Sequence, residues 1–204
     1  MSASKFHPAF QDSTLFISAR SPFARRVRIA MLESGVRFEE KVVDVFHPTP
    51  ELLAANPLGR VPVVRLASGM TICESQLILD ALYQAPLSLE MARWSGLFVG
   101  LCDRIVEQYL ESLRPAAARD PEIFTDFERF FTGTLELAEA ELASKRWLSG
   151  GDEPRQPDFD AGVALTYACL RYSSEWQKAF PSCSALMQRL EKRPSFERTR
   201  PPEA

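Results

Sequence analysis

The residues able to do chemistry gather at two helix starts and one turn. Ser21 stands before Pro22 at the head of a helical pattern, with serine at the N-cap and proline at the first helical position. Further on, the stretch NPLGRVPVVRLASGMTICES, residues 56–75, holds a Pro-Leu-Gly turn, an apolar run from Val61 to Leu66, a Ser68-Gly69 turn and a second run, Met70 to Cys73. Two such runs parted by turn residues read as a β-hairpin. Its second strand feeds a helix that begins at Glu74-Ser75. Pro62 near the start of the first strand is odd, because proline gives no donor to a ladder and belongs at edges, first residues or bulges. It suggests a backbone fixed for a purpose, and a cis Val61-Pro62 bond is one way to fix it. The Ser75 hydroxyl and the free N–H groups of a helix start suit a carboxylate. The stretch therefore offers an exposed main-chain edge beside an anion site.

The elements that must position these residues follow from the patterning. Thr14 to Ser18 is a short β-prone run, and the helix from Pro22 to about Ser34 is closed by Gly35. Phe23, Val27, Ala30 and Met31 fall on one face of it at helical spacing. Val36 to Val45 reads as a second strand, and the turn His47-Pro48-Thr49-Pro50 leads into a short helix, Glu51 to Ala55. The hairpin and a helix from Ser75 to about Tyr83 complete the order β-α-β-α-β-β-α. Beyond Pro86 the strand-like runs stop. Helical patterns occupy roughly 89–113, 121–144, 158–174 and 183–191. A linker near Gln84 to Ser88 thus divides an α+β domain, residues 1–84, from an all-α domain, residues 89–204.

Composition narrows the function classes. The chain has 204 residues, 46% of them hydrophobic and 25% charged, ordinary values for a globular protein. A formal net charge of −3 argues against nucleic acid or an anionic membrane as partner. No apolar run approaches the ~20 residues that span a bilayer, and MSASKFHPAFQDS lacks the apolar core of a secretory signal. Cys73, Cys102, Cys169 and Cys183 are widely spaced with no C-x-x-C, which fits a reducing cytoplasm. With only His7 and His47, a histidine-based metal site is not expected.

Three motifs in order, SPFARRVRIAMLESG, NPLGRVPVV and ESQLILDALY, resemble the cytosolic glutathione S-transferases. The likeness runs from about Thr14 to the C-terminal RPSFERTRPPEA, and the serine-bearing S-P-F-x-R-[RK]-V start looks most like bacterial members related to the omega and beta classes. The resemblance implies a thioredoxin-like, glutathione-binding N-terminal domain followed by an all-helical C-terminal domain. It also implies a homodimer and a metal-free reaction in which glutathione is the co-substrate and a small electrophile the acceptor, as in detoxification. Pro62 would be the cis-proline, and Val61 would offer its main-chain N–H and C=O to the cysteinyl part of glutathione. Glu74 and Ser75 would bind the γ-glutamyl end. Ser21 would face the sulfur, with Phe23 and Arg60 nearby.

Departures from the family pattern carry information too. Omega and beta relatives have cysteine where Ser21 stands; serine cannot form a mixed disulfide, so glutaredoxin-like exchange is not expected. The omega lysine near the second short helix is replaced by Thr49 or His47. The Ser/Thr-x-x-Asp capping box of the helical half is broken, with Asp160 in the aspartate position behind Pro157 and Asp158 as the cap. Arg20, Arg25, Arg26 and Arg28 read as solvated or paired with interface acids. Cys73 reads as core, and Trp94, Phe98, Tyr109 and Trp176 as packing, some lining an acceptor pocket. Conjugation has two kinds of rival. One is a peroxidase, isomerase or reductive dehalogenase; the other is a non-enzymatic module of the same fold that binds a protein or sequesters ligands.

Overall fold

The computed structural model describes residues 6–202; the outermost residues of the two expected domains, 1–5 and 203–204, lie outside them. The described chain forms two compact units, one running up to Pro86 and including Pro194–Pro202, the other Leu87–Arg193.

In the first unit β1 (Ser13–Ile17) is followed by α1 (Pro22–Glu33), β2 (Phe38–Val42), α2 (Pro50–Ala55), β3 (Val63–Arg65), β4 (Thr71–Cys73) and α3 (Ser75–Tyr83). The four strands make one sheet in the order β2-β1-β3-β4. β1 runs parallel to β2 and antiparallel to β3, with Leu15 opposite Val64 and Phe16 opposite Val63. A parallel neighbour requires a crossover, which α1 supplies. Because strand side chains alternate between faces, this register sorts the core into two layers. Leu15, Ile17 and Val64 pack with Ala24, Val27, Ala30 and Met31 of α1 and Ile78, Leu79 and Leu82 of α3. Phe16 and Val63 turn the other way onto Leu52 and Ala55 of α2. The thioredoxin-like reading of this half holds.

Several edges move. β2 is shorter than the expected 36–45, since Val36 and Val43 are buried as loop residues just beyond its ends. Pro62 lies just before β3 rather than inside it, so its missing donor costs no ladder bond. The part of α1 that joins the core cluster starts at Ala24; Phe23 stays half-buried outside the cluster. Of the two readings of the basic residues of α1, solvation fails, since Arg25, Arg26 and Arg28 are all buried, while pairing with an acid holds for Arg28, which meets Glu40. Before β1, a 3-10 turn at Pro8–Phe10 buries Phe10 in the core.

The second unit comprises α4 (Leu89–Ser112), α5 (Pro121–Leu142), α6 (Gln156–Arg171), α7 (Trp176–Ala179) and α8 (Pro181–Glu191). α6 is its centre, buried almost continuously from Gln156 to Ala168. Ala161, Ala164 and Ala168, all fully buried, leave room for α4, whose Trp94, Phe98 and Ile105 are fully buried as well. The α6 start corrects the sequence reading. Asp158 is not the cap but the third helical residue. Its carboxylate accepts from the backbone N–H groups of Arg155, Leu148 and Ser149 at 2.9, 2.7 and 3.4 Å, so the box's aspartate is Asp158 and Arg155 holds the cap position. Asp160 instead accepts from Ser95 Oγ and, at 2.7 Å, from Gln156 Nε2.

After α8 the chain returns. α9 (Pro194–Arg198) packs on α1 of the first unit, burying Phe196 and Thr199 completely. In packing terms the helical part read as 89–204 therefore ends at Arg193.

Candidate functional site

Ser21 closes the turn from β1 into α1. Its N–H donates to Ser18 C=O at 3.0 Å, and its Oγ accepts from Ala24 N–H at 3.2 Å, the bond that makes it the N-cap. A hydroxyl that accepts one bond keeps its own proton to donate. Among the described residues that proton has no acceptor. An N–H donated into the oxygen also polarises the O–H, so the cap strengthens the donor.

Val61 is presented by a rigid turn. Asn56 Oδ1 accepts from Leu58 N–H at 3.1 Å and Asn56 Nδ2 donates to Arg60 C=O at 3.0 Å. Gly59 takes φ 64°, a left-handed conformation that glycine adopts without strain. The Val61-Pro62 bond is cis. Among the described residues, neither the N–H nor the C=O of Val61 has a hydrogen-bond partner, although the residue is half-buried. Arg60 turns its side chain to solvent.

At the head of α3, Glu74 holds φ 66° and ψ 121°, a conformation non-glycine residues rarely take, and its side chain makes no cap. Such backbone outliers cost on the order of 1–3 kcal/mol and concentrate at binding sites. Ser75, at the first helical position, is only 7% exposed. Its partner is a residue that sequence reasoning missed. Arg26, 1% exposed, donates from Nη1 to Ser75 Oγ at 3.0 Å and from Nη2 to Gln76 Oε1 at 3.1 Å. The signal was its spacing: four residues before Ala30, Arg26 lies on the apolar side of α1. Ser21 and Ser75 thus head two packed helices that Arg26 ties together, while Phe23, Arg60 and Val61 are not joined to this network by any contact found. The N–H groups at the start of α3 and the buried Arg26 guanidinium favour an anion here.

Known proteins share this fold. Residues 20–85 match the family model described as the glutathione S-transferase N-terminal domain. A glutathione S-transferase from Methylobacterium radiotolerans, solved in complex with glutathione sulfonate, superposes with a TM-score of 0.85 at 29% identity, covering 95% of this chain and 96% of that one. One from Methylobacillus flagellatus with glutathione bound gives 0.85 at 25% identity, over 94% and 100%. The fold is that of the glutathione S-transferases. Among curated sequences, the uncharacterised GST-like protein YibF of Escherichia coli K12 is 26% identical over 92% of this chain and 98% of its own length.

The remaining candidate residues divide plainly. At the omega lysine position, Thr49 caps α2, accepting from Leu52 N–H at 3.3 Å, and His47 pairs with Asp44 at 2.9 Å on the surface. Burial, with the Glu74 charge beside it, pushes the Cys73 thiol up, the wrong direction for a nucleophile. Among the described residues no group of three or more His, Cys, Asp or Glu side chains could hold a metal ion.

Proposed function

We propose that the protein is a glutathione transferase: it binds glutathione, holds its sulfur as thiolate and transfers it to a small electrophile. The observation that carries this reading is the unpartnered main chain of Val61, in a fold whose solved relatives hold glutathione or its sulfonate. An extended tripeptide pairs with such a main chain as an added strand. Pro62 fixes the edge, and the cysteinyl N–H and C=O meet Val61. The γ-glutamyl carboxylate takes the Ser75 hydroxyl and N–H at the head of α3, with Glu74 beside it. Phe23 and Arg60 complete the glutathione contacts of the domain of residues 1–84.

Ser21 performs the chemistry. Its free O–H donates to the sulfur, and the start of α1 adds a dipole contribution of ~0.3–1 kcal/mol when exposed and up to ~2 when partly buried. One pKa unit is about 1.4 kcal/mol, so hydrogen bond and dipole together lower the bound thiol by one to two units. The thiolate then attacks an oriented electrophile. Serine in place of cysteine favours conjugation over disulfide exchange. The same reading makes the protein a cytoplasmic homodimer with a role in detoxification; sedimentation equilibrium tests the dimer.

Calorimetry with glutathione is the first test, and a silent titration at millimolar ligand would favour a non-enzymatic module of the same fold. The second is Ser21→Ala. Loss of one hydrogen bond to a charged sulfur, worth about 1.5–3 kcal/mol, predicts roughly a tenfold to hundredfold fall in turnover. The thiolate absorbance of the bound tripeptide at neutral pH falls with it. The accompanying loss of the cap, about 0.5–2 kcal/mol, shows separately in thermal melting. Unchanged turnover and unchanged absorbance would refute the Ser21 role.

A further inference from the structure

Two arginines of the helical unit stand over one indole. Arg146 lies in the loop after α5 and Arg189 in the last turn of α8, with Cζ atoms 5.5 and 5.2 Å from the Trp147 ring centroid. Arg189 Nη2 donates to Arg146 C=O at 2.7 Å, which holds one guanidinium against the main chain of the other residue. Arg189 Nε is buried without an acceptor, and its Nη1 has none among the described residues. Arg146 is exposed, and its side chain makes no hydrogen bond or ion pair among the described residues. Lys192, three residues after Arg189 and so on the same side of the helix end, adds a third cation without a carboxylate there.

Acids close in the chain are spent elsewhere: Glu141 on Lys145, Glu191 on Thr166 and Asp158 on backbone N–H groups. Asp152, whose C=O accepts from Trp147 Nε1 at 3.0 Å, makes no ion pair with either arginine. Burial and then the Arg146 charge push the Arg189 guanidinium below its ordinary value, with Asp158 pulling the other way. A helix C-terminus favours a cation and an indole face favours a guanidinium, which explains each arginine singly. Neither explains the pair, because like charges repel, nor the donors left open.

Guanidinium forks match phosphate oxygens, and a phosphate monoester near pH 7 carries close to two negative charges on three acceptor oxygens. Trp147 is 4% exposed and its N–H is engaged, so the indole offers a ligand neither a stacking face nor a donor. Such a site reads charge and leaves the rest of the ligand in solvent.

We propose that Arg146, Arg189 and Lys192 form a phosphate-binding site on the helical unit, which takes the phosphate group of a small phosphomonoester. The site lies within that unit, needs no glutathione and stands apart from the transferase chemistry.

Glycerol 3-phosphate is the probe, beside inorganic phosphate and acetate, in calorimetric titrations at constant ionic strength because salt screens exposed charges. Glycerol 3-phosphate is expected to bind saturably and acetate not to bind. Arg146→Gln and Arg189→Gln should each raise the dissociation constant by about tenfold or more, the low end for a hydrogen bond to a charged group. Lys192→Gln should raise it by about threefold, as an exposed charge does. Arg93→Gln removes a lone guanidinium from the ring of Trp94 and should change nothing. Arg146 is exposed, so Arg146→Gln decides the matter even if Arg189→Gln fails to fold. Melting temperatures give a second readout, taken as the difference between wild type and variant because phosphate stabilises any protein by exclusion from its surface. Binding that survives Arg146→Gln unchanged, acetate that binds as tightly, or no saturation at millimolar glycerol 3-phosphate overturns the site. Tighter binding of inorganic phosphate than of the ester keeps the anion site and overturns the ester as its ligand. Glutathione titrations of Arg146→Gln should match wild type, so this site and the transferase reading fail in different experiments.

Discussion

Arg26 joins Ser75 and Gln76 to α1, and Gln76 continues the chain of bonds through Nε2 to Asp80 Oδ1 at 2.9 Å. Its guanidinium acts at two levels. It satisfies two oxygens at the head of α3, and it brings positive charge to the place where a carboxylate is proposed to bind. Removing a donor strands its acceptors, at about 1–3 kcal/mol for a buried group. Arg26→Met keeps much of the stem volume and removes the donors. It should lower the melting temperature by several degrees, at about 2–4 °C per kcal/mol for a chain of this size. It should also weaken glutathione binding by about tenfold, the equivalent of one charge-assisted hydrogen bond. Calorimetry and thermal melting measure the two effects separately. A lowered melting temperature with unchanged glutathione affinity would make Arg26 a structural residue only.

Among the elements, α8 depends on a cap from elsewhere in the chain. Its N-cap residue, Phe180, makes no side-chain cap. The Glu139 carboxylate on α5 accepts instead from Ser182 N–H at 2.8 Å and Cys183 N–H at 2.9 Å. Burial alone would raise this carboxyl, but the two N–H donors outweigh it and hold it below its ordinary value of 4.5. A group depressed in the folded state stabilises fully above its unfolded pKa and loses that contribution as pH falls through the folded one. Glu139→Gln should therefore cost about 0.5–2 kcal/mol at neutral pH. The gap from wild type should close as pH drops below 4.5, as denaturant melts across pH will show. A gap that stays constant down to acid pH would mean that charge is not the cause. This cap also marks the limit of what the sequence made legible. β1, α1, the hairpin and α3 could be read because Ser21, Pro22, Gly35 and the alternating Leu15, Phe16 and Ile17 act through neighbours along the chain. Val61, Pro62, Glu74 and Ser75 were legible as a fixed main-chain edge and a helix start for the same reason. The Glu139 cap joins residues 43 and 44 apart, Arg26 meets Ser75 49 apart, and no local rule forecasts either. The sequence points to Asp158 as the cap because Arg155, the residue that holds that position, carries none of the usual cap chemistry.

At the scale of the molecule, both ends of the chain build the sheet unit. Phe196 lies under the Arg25 guanidinium, 5.1 Å from ring centroid to Cζ, and Arg25 Nη2 donates to Phe196 C=O at 3.3 Å. Arg25 Nε donates to Thr199 Oγ1 at 3.4 Å and Arg28 Nη1 to Thr199 C=O at 3.2 Å, while Arg28 also grips Glu40 of β2 through two bonds of 3.0 and 2.7 Å. Ser195 Oγ donates to Glu33 at the far end of α1 at 2.5 Å. The helix that starts at Ser21 and carries Arg26 is thus held by the sheet and α3, and along its length by the returning tail. Phe196→Ala empties a fully buried site, a loss of about 3–5 kcal/mol for such a change. If the tail sets the position of α1, the damage reaches the site: Phe196→Ala and a chain ending at Arg193 should both bind glutathione more weakly. Far-UV helicity should persist through the second unit, whose own core does not include Phe196. Glutathione titrations beside circular dichroism melts decide the matter. Full affinity in the shortened chain would show that sheet and α3 position Ser21 unaided, and that the tail only stabilises what they have already placed.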